Sequence, residues 1–250
     1  MVQSSHDLPL ELIDALRNAN KVAVLTGAGT SAESKIPTFR DAMTGLWASF
    51  SPEELATPEA FARNPRMVWG WYAFRREMCA RALPNPGHLA LAELEKRFEQ
   101  FTLTTQNVDG LHQRAGSQRV FELHGSIARV KCADTGRVLE GNIPECDEPP
   151  PLHPETGGML RPDVVWFGEP LPEQAIMDSW EAALEADVYF TIGTSALVYP
   201  AAGLPIKARR GGAVVVEINP QETPFTEMST FHLRGKSGEV LPAIVTALDV

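Results

Sequence analysis

Three polar side chains, those of Asn107, Asp109 and His124, stand just after apolar segments and suit hydrogen-bonding and acid–base chemistry. An amide both donates and accepts, and a carboxylate accepts from hydroxyl or amide groups, so Asn107 and Asp109 suit a ribose and a carboxamide such as nicotinamide. The alternative is that they only cap the helix that follows. An imidazole titrates near neutrality and is the usual general base toward a hydroxyl, although a single histidine is more often structural. The spacing leaves both alternatives open.

A glycine-rich turn follows the apolar run 21–26 and has the pattern Gly27-x-Gly29-x-x-Ala32. Gly27 permits a tight turn, and Gly29 lets the backbone approach a pyrophosphate, as in dinucleotide-binding proteins. A dehydrogenase would continue into a long helix, but Ile36-Pro37 interrupts this one early because proline disfavours helix. The loop that follows, with Phe39 and Arg40, could fold over a nucleotide. This combination indicates that the cofactor is consumed rather than used for hydride transfer.

Tyr72 and Arg75 lie three residues apart in a helical pattern and therefore share a helix face. A phenol and a guanidinium that converge could bind a carboxylate, since arginine does so with two hydrogen bonds. The alternative is an ordinary aromatic–arginine surface pair or an ion pair with a nearby glutamate, which the spacing alone favours. His112 is better interpreted as a packing or supporting residue than as a catalytic one.

Four apolar segments rich in residues that favour β-structure are predicted to be strands that position these side chains. They lie at 21–26, 101–105, 187–191 and 213–218. Helical patterns alternate with them at 8–19, 88–97, 173–185 and 201–210. This alternation predicts an α/β fold, a doubly wound, mostly parallel Rossmann-like sheet. Ligands bind at the carboxyl ends of such strands, so the polar strand ends should converge on one rim.

Two segments interrupt the alternation, a helical and aromatic one at 47–83 and a segment rich in Pro, Gly and Glu at 130–160. We expect them to form a smaller inserted domain over the ligand edge of the sheet. The Rossmann-like NAD-binding domain would then comprise residues 1–46, 84–129 and 161–250.

Composition narrows the functional classes. The chain has 250 residues, 44% hydrophobic and 22% charged, as in soluble globular proteins. No apolar run approaches the roughly 20 residues that span a bilayer, and no signal peptide is recognisable. The net charge of −10 argues against direct binding of nucleic acid. Three cysteines give no even-numbered disulfide framework, which favours a reducing, cytoplasmic location.

Taken in order, these motifs resemble the sirtuins, the NAD-dependent protein lysine deacylases. The resemblance covers nearly the whole chain and rests on Gly27-Ala-Gly29-x-Ser31, Ile36-Pro37-x-Phe39-Arg40, Thr105-Gln-Asn-x-Asp109, His124-Gly125, Val165-x-Phe167-Gly168-Glu169, Gly193-Thr194-Ser195 and Asn219. It implies a large doubly wound domain, a small domain of helices and a zinc ribbon, and NAD as cofactor.

The resemblance also implies roles for individual residues. The acyl oxygen of the substrate would attack the ribose carbon that bears nicotinamide, and His124 would act as general base toward the ribose hydroxyls. The products would be nicotinamide, the free lysine and acyl-ADP-ribose. The catalytic residues would be His124, Asn107 and Asp109. The NAD-binding residues would be Gly27, Ala28, Gly29, Ser31, Ala32, Ile36, Phe39, Arg40, Gln106, Asn107, Asp109, Gly193, Thr194, Ser195 and Asn219. The substrate peptide would lie between residues 195–199 and the segment with Val165, Phe167, Gly168 and Glu169.

The pair Tyr72 and Arg75 looks like the class III subgroup, which removes succinyl, malonyl and glutaryl groups and uses these two residues to bind the distal carboxylate. The zinc ribbon is a departure, because the family supplies four cysteines and this chain keeps only Cys132 in the expected place. Thr135 and Thr156 stand at ligand positions, with Cys146 and His153 nearby. We therefore predict no metal.

Two alternatives keep the same fold: an ordinary NAD-dependent deacetylase and a mono-ADP-ribosyltransferase. A third is a non-catalytic module that senses NAD or ADP-ribose, against which the presence of His124, Asn107 and Asp109 counts. We expect acyl-lysine proteins or peptides as substrates, no membrane or nucleic-acid partner, and a monomer.

Overall fold

The computed structural model describes residues 8–37 and 52–250. Eight strands lie in this part of the chain: β1 Lys21–Thr26, β2 Gln100–Thr105, β3 Val120–Glu122, β4 Gly125–Cys132, β5 Leu160–Val164, β6 Val188–Ile192, β7 Val214–Ile218 and β8 Phe231–Leu233. Six of them form one sheet in the order β3-β2-β1-β6-β7-β8. Every neighbouring pair in this sheet is parallel. The remaining two, β4 and β5, form an antiparallel pair.

The helices of the described residues connect these strands. They are α1 Leu10–Asn18, α2 Ala28–Ala32, α3 Pro52–Leu55, α4 Pro58–Arg63, α5 Pro65–Arg81, α6 Pro86–Glu95, α7 Leu111–Ala115, α8 Glu173–Glu185, α9 Leu204–Gly211 and α10 Ser237–Leu248. Short 3-10 turns occur at Ala201–Gly203 and Thr226–Met228. Within the described residues, none of these helices combines the length and the apolar character that a membrane crossing requires.

The central sheet is apolar on both faces, since successive side chains of a strand point to opposite sides. Val22 and Val24 of β1 belong to a core with α1, α6 and α10, whereas Ala23 and Leu25 belong to a second core with α8 and α9. Helices therefore cover both faces, and the predicted doubly wound parallel fold is confirmed.

The strand order reverses direction between β1 and β6. The chain builds outward from β1 through β2 to β3, and then returns to place β6 on the other side of β1. Thr26 pairs with Ile192, so the two strands end at the same level. In open α/β sheets, ligands bind in the crevice outside the strand ends at such a switch point. The fold thus places the glycine-rich turn after β1 beside the turn after β6.

A separate core lies among α3, α4, α5 and the β4–β5 pair. Its buried residues include Phe61, Trp71, Tyr72 and Trp166, and the half-buried Ile36 and Val108 pack against it. Residues 52–81 are largely helical, as predicted for 47–83, and residues 133–159 have little regular structure. The exact division into a large domain and an inserted small one stays a prediction.

Candidate functional site

Three glycines bring the turns after β1 and β6 into direct backbone contact. A Cβ on Gly27 or on Gly29 would lie 2.8 Å from the Gly193 carbonyl oxygen, and a Cβ on Gly193 would lie 2.4 Å from the Thr30 nitrogen. Gly193 also has φ +59°, a conformation that glycine adopts without strain. The Gly29 N–H donates to the Gly193 carbonyl at 2.8 Å. Side chains larger than hydrogen at these positions would force the two turns apart.

The turn after β1 is tied to the end of β2 by a buried hydrogen-bond cluster. Ser31 Oγ donates to Asp109 Oδ2 at 2.8 Å, and Asn107 Nδ2 donates to Ser31 Oγ at 3.1 Å and to the Gly27 carbonyl at 3.0 Å. The Leu111 N–H donates to Asp109 Oδ1 at 2.9 Å, so this carboxylate caps α7 and also faces the turn. Burial raises the pKa of the Asp109 carboxyl, although these hydrogen bonds oppose the rise. Asp109 therefore caps α7, as one interpretation of the sequence had it, and its role at a nucleotide site stays a prediction.

Two buried histidines, His88 and His112, lie next to the hydrogen-bond cluster of Ser31, Asn107 and Asp109. His112 Nε2 lies 2.9 Å from Thr26 Oγ1, which donates to Thr105 Oγ1 at 2.8 Å. His88 Nε2 lies 3.4 Å from Ser31 Oγ, and the two imidazole rings are 4.7 Å apart. Burial lowers the pKa of His88 to about 4 and that of His112 well below its ordinary value, so both rings are neutral. His112 has the supporting position that the sequence indicated.

His88 was missed by the sequence reasoning, although a signal for it exists. Asn85 precedes Pro86 and stands three residues before His88, and together they form a capping box at the start of α6. Asn85 Oδ1 accepts from the Gly87 and His88 N–H groups, and His88 Nδ1 accepts from the Asn85 N–H at 3.3 Å. Asn85 Nδ2 also donates to the Thr30 carbonyl and to Ser34 Oγ, which joins α6 to the residues around α2.

His124 is oriented as a general base requires. Its Nδ1 lies 2.9 Å from the Gln106 carbonyl oxygen, which can only accept, so Nδ1 carries the proton and Nε2 has the free lone pair. Burial lowers the pKa of this imidazole, and the hydrogen bond to Gln106 opposes the shift only in part. The ring is therefore neutral at physiological pH and able to accept a proton.

Four of the residues predicted to bind NAD follow β6 and β7: Gly193, Thr194, Ser195 and Asn219. Asn219 Nδ2 donates to the Thr194 carbonyl at 2.9 Å, and Gln106 Nε2 donates to Thr194 Oγ1 at 3.0 Å. Ser195 follows in the same loop. Glycine turns, amides, hydroxyls and a carboxylate at the carboxyl ends of neighbouring strands fit a dinucleotide that carries a carboxamide. Ala28, Ser31 and Ala32 lie on α2, and Ile36 follows it, whereas Phe39 and Arg40 lie outside the described residues.

Both segments predicted to bind the substrate peptide carry exposed side chains, and their role in peptide binding stays a prediction. In the first, the Val165 N–H donates to the His124 carbonyl at 3.0 Å, Phe167 is 47% exposed, and Gly168 has φ +87°. In the second, the side chains of Leu197, Val198 and Tyr199 are exposed. The first segment is held from within by Glu169, whose carboxylate pairs with Arg161 at 2.6 and 2.8 Å and accepts from the Trp166 N–H at 2.8 Å.

Tyr72 and Arg75 lie one turn apart on α5. Burial raises the pKa of the Tyr72 hydroxyl to about 12, although the neighbouring Arg75 charge opposes this. Burial also lowers the pKa of Arg75, and the charges of Tyr72, Cys79 and Asp109 act against that decrease. The Arg75 guanidinium lies 5.0 Å from the centre of the Trp71 ring. Arg75 is therefore half-buried and lies within electrostatic reach of Asp109.

Cys132, Thr135 and Thr156, which stand at ligand positions of the family's zinc ribbon, do not supply the donors of a tetrahedral zinc site. Thr156 Oγ1 donates to Cys132 Sγ at 3.1 Å, and Thr135 also hydrogen-bonds to this thiol. These two hydrogen bonds lower the pKa of Cys132 to about 7. In the described part of the chain, no three His, Cys, Asp or Glu side chains are grouped as metal ligands would be. Cys146 is exposed and His153 is buried, with its Nδ1 accepting from the Glu155 N–H.

Comparison with known proteins is consistent with this geometry. A model of the Sir2 family matches residues 27–200. The NAD-dependent protein deacylase of Aquifex aeolicus is 51% identical over 229 residues, which cover 92% of this chain and 95% of that protein. A crystal structure of a Sir2 homologue–NAD complex has a TM-score of 0.91 at 45% identity and covers 100% of this chain and 96% of its own. A structure described as Sir2–p53 peptide–NAD+ has a TM-score of 0.80 at 30% identity, with 94% and 96% covered.

Proposed function

Because the chain belongs to the Sir2 family and is an NAD-dependent protein deacylase, we propose that it acts preferentially on lysines that carry acidic acyl groups: succinyl, malonyl or glutaryl. NAD supplies the ribose carbon to which the acyl group is transferred. We assign the nicotinamide end to Asn107, Asp109 and Ser31, because their amide, carboxylate and hydroxyl groups meet at the turn after β1.

His124 would remove a proton from a ribose hydroxyl through Nε2, because its Nδ1–H donates a hydrogen bond to the Gln106 carbonyl. A neutral base is available at physiological pH because burial keeps the pKa of this imidazole low. Asp109 and Asn107 would position the cofactor rather than transfer protons, as their side chains are already engaged with Ser31.

The acyl preference is supported by one observation above all, the position of the half-buried Arg75 one helical turn from the buried Tyr72 on α5. A guanidinium remains charged even when its pKa is lowered, and its attraction for a carboxylate is stronger in a partly desolvated site than in water. The distal carboxylate of a succinyl group would bind this guanidinium through two charge-assisted hydrogen bonds. An acetyl group is too short to do so. Tyr72 shares its core with Ile36 and Val108, and Arg75 is within electrostatic reach of Asp109, so the pair lies next to the proposed nicotinamide site.

The experiment compares kcat/KM on matched succinyl-lysine and acetyl-lysine peptides for the wild type and Arg75→Met. Loss of a charge-assisted carboxylate contact costs about 1.5–3 kcal/mol, so we expect a loss of about 10- to 150-fold on the succinyl peptide. The rate on the acetyl peptide should change by less than about threefold. Arg76→Met is the matched control, because Arg76 donates to the Ile127 carbonyl and stacks on Trp69 instead.

Equal losses of kcat/KM on both peptides in Arg75→Met would exclude Arg75 as the residue that binds the carboxylate. A wild type that prefers acetyl-lysine would identify an ordinary deacetylase. Covalent labelling of the target protein by the ADP-ribose of NAD, without loss of the acyl group, would identify a mono-ADP-ribosyltransferase. Mass spectrometry of the peptide and the nucleotide products separates these outcomes.

A further inference from the structure

A buried hydrogen bond joins the indole of Trp166 to the hydroxyl of Tyr72. Trp166 Nε1 lies 2.9 Å from the Tyr72 oxygen, and both side chains are 2% exposed. An indole N–H can only donate, so the Tyr72 oxygen must be the acceptor. The phenol proton is consequently directed elsewhere. Within the described residues, the Tyr72 hydroxyl donates its proton to no protein group, so a bound ligand could accept it.

The Tyr72 hydroxyl remains a donor over the working range of pH. Burial is the largest influence and raises its pKa to about 12, while the positive charges of Arg75 and Arg161 lower it by less. A protonated phenol beside a guanidinium can donate to one oxygen of a carboxylate while the arginine binds the same group. The direction of that proton therefore affects recognition of the acyl group.

Trp166 itself is fixed from three sides. The Arg161 guanidinium lies 3.3 Å from the centre of the indole, and the Arg161 side chain is 6% exposed. The two terminal nitrogens of that guanidinium donate to the Glu169 carboxylate, which also accepts from the Trp166 backbone N–H. The ring of Phe61 packs at 5.4 Å from the indole. With its ring stacked and its backbone bound, the indole has one orientation, and its N–H points at Tyr72.

We propose that Trp166 is a positioning residue for acyl selectivity, because its N–H occupies the Tyr72 oxygen and thereby directs the phenol proton toward the carboxylate of the acyl group. This inference rests on the proposed preference for acidic acyl groups. Trp166 has no direct contact with the substrate in this proposal. It acts through Tyr72, and Arg161 and Glu169 act through Trp166.

The experiment is a double-mutant cycle of Trp166→Phe and Tyr72→Phe, measured on matched succinyl and acetyl peptides. Trp166→Phe should lower kcat/KM on the succinyl peptide about 5- to 10-fold, the range for loss of one well-placed hydrogen bond, mainly through KM. The acetyl reaction should change by less than about twofold. In the Tyr72→Phe background, Trp166→Phe should cause no further selective loss, since the hydroxyl that it orients is already absent. Trp69→Phe is the control for loss of an indole elsewhere in this region.

A variant that keeps the shape of the indole separates loss of the hydrogen bond from loss of folding stability. Site-specific replacement of Trp166 by benzothienylalanine exchanges the N–H for sulfur and should reproduce the selective loss with an unchanged melting temperature. Equal losses on both peptides, a full additional loss in the Tyr72→Phe background, or no effect of the benzothienyl group would each overturn the proposal. Its failure is distinguishable from failure of the acyl preference, which appears in the wild type and in Arg75→Met before Trp166 is changed.

Discussion

Replacement of Asn85 by alanine tests the connection between α6 and the nucleotide turn. Asn85 is 7% exposed, and its side-chain oxygen caps α6 through the Gly87 and His88 N–H groups at 3.0 and 3.3 Å. Its amide nitrogen donates to the Thr30 carbonyl at 2.8 Å and to Ser34 Oγ at 3.1 Å. The side chain thus serves a helix end and the turn after β1 at the same time.

The magnitude follows from these two functions. Loss of an N-cap costs about 1 kcal/mol, and a buried polar group left without its partner costs about 1–3 kcal/mol. We therefore expect Asn85→Ala to lower the free energy of unfolding by about 2–4 kcal/mol. For a chain of this size, each kcal/mol corresponds to about 2–4 °C in Tm, so a loss of about 3 kcal/mol lowers Tm by about 6–12 °C.

Asn85→Ser separates the two contributions. Serine is also a good N-cap, but its side chain is too short to reach the Thr30 carbonyl, so this variant should lose only the second contribution, about 1–3 kcal/mol. Urea unfolding and thermal melting of the wild type and both variants measure these differences. The reasoning is refuted if Asn85→Ala loses less than about 0.5 kcal/mol, or if alanine and serine are equally destabilising.

Two further predictions concern the histidines. His124→Tyr should reduce the rate of deacylation at least about 100-fold, while calorimetry still detects NAD binding; an unchanged rate would exclude His124 as the base. Because burial lowers the pKa of this imidazole, the wild-type kcat/KM should fall only below about pH 6.5. Since the pKa of His88 is about 4 in the fold and 6.5 ordinarily, the unfolded state binds more protons between these values. His88 alone should therefore lower the free energy of unfolding by about 3 kcal/mol as the pH decreases from 6.5 to 4. Urea unfolding at several pH values should show that His88→Gln removes this contribution, whereas that of His112 stays.

Much of the scaffold was predictable because its strands are apolar throughout and its helices are periodic. The strand expected at 21–26 is observed as Lys21–Thr26, and the helix expected at 173–185 as Glu173–Glu185. The segment 201–210 was predicted as one helix, but it begins as a 3-10 turn at Ala201–Gly203 before α9. Four short or irregular strands, β3, β4, β5 and β8, and the helix α10 were not predicted. β3 and β8 have only three residues each, too few for a periodic pattern.

Candidate site residues could be named from the sequence only where their chemistry is visible among their immediate neighbours in the chain. Asn107, Asp109 and His124 follow apolar segments, and the structure places their side chains beside the end of β2 and the turn after β1. Their roles stay predictions. The roles of Arg161 and Trp166 depend on contacts across the fold, since Trp166 meets Tyr72 from 94 positions away. Contacts between residues so far apart in the chain produce no recognisable pattern in the sequence around either residue. His88 was missed for a related reason, because its ring acts on Ser31, 57 positions earlier.

His124 connects two parts of the molecule through different atoms. Its ring is bound to the Gln106 carbonyl at the end of the central sheet, while its own carbonyl accepts from the Val165 N–H in the segment proposed to receive the substrate backbone. A peptide that adds a strand beside Val165 would restrict the same backbone that carries the imidazole. Binding energy gained far from the acyl group can thus be used to align the proton acceptor, and a shortened substrate then reacts more slowly even at saturation.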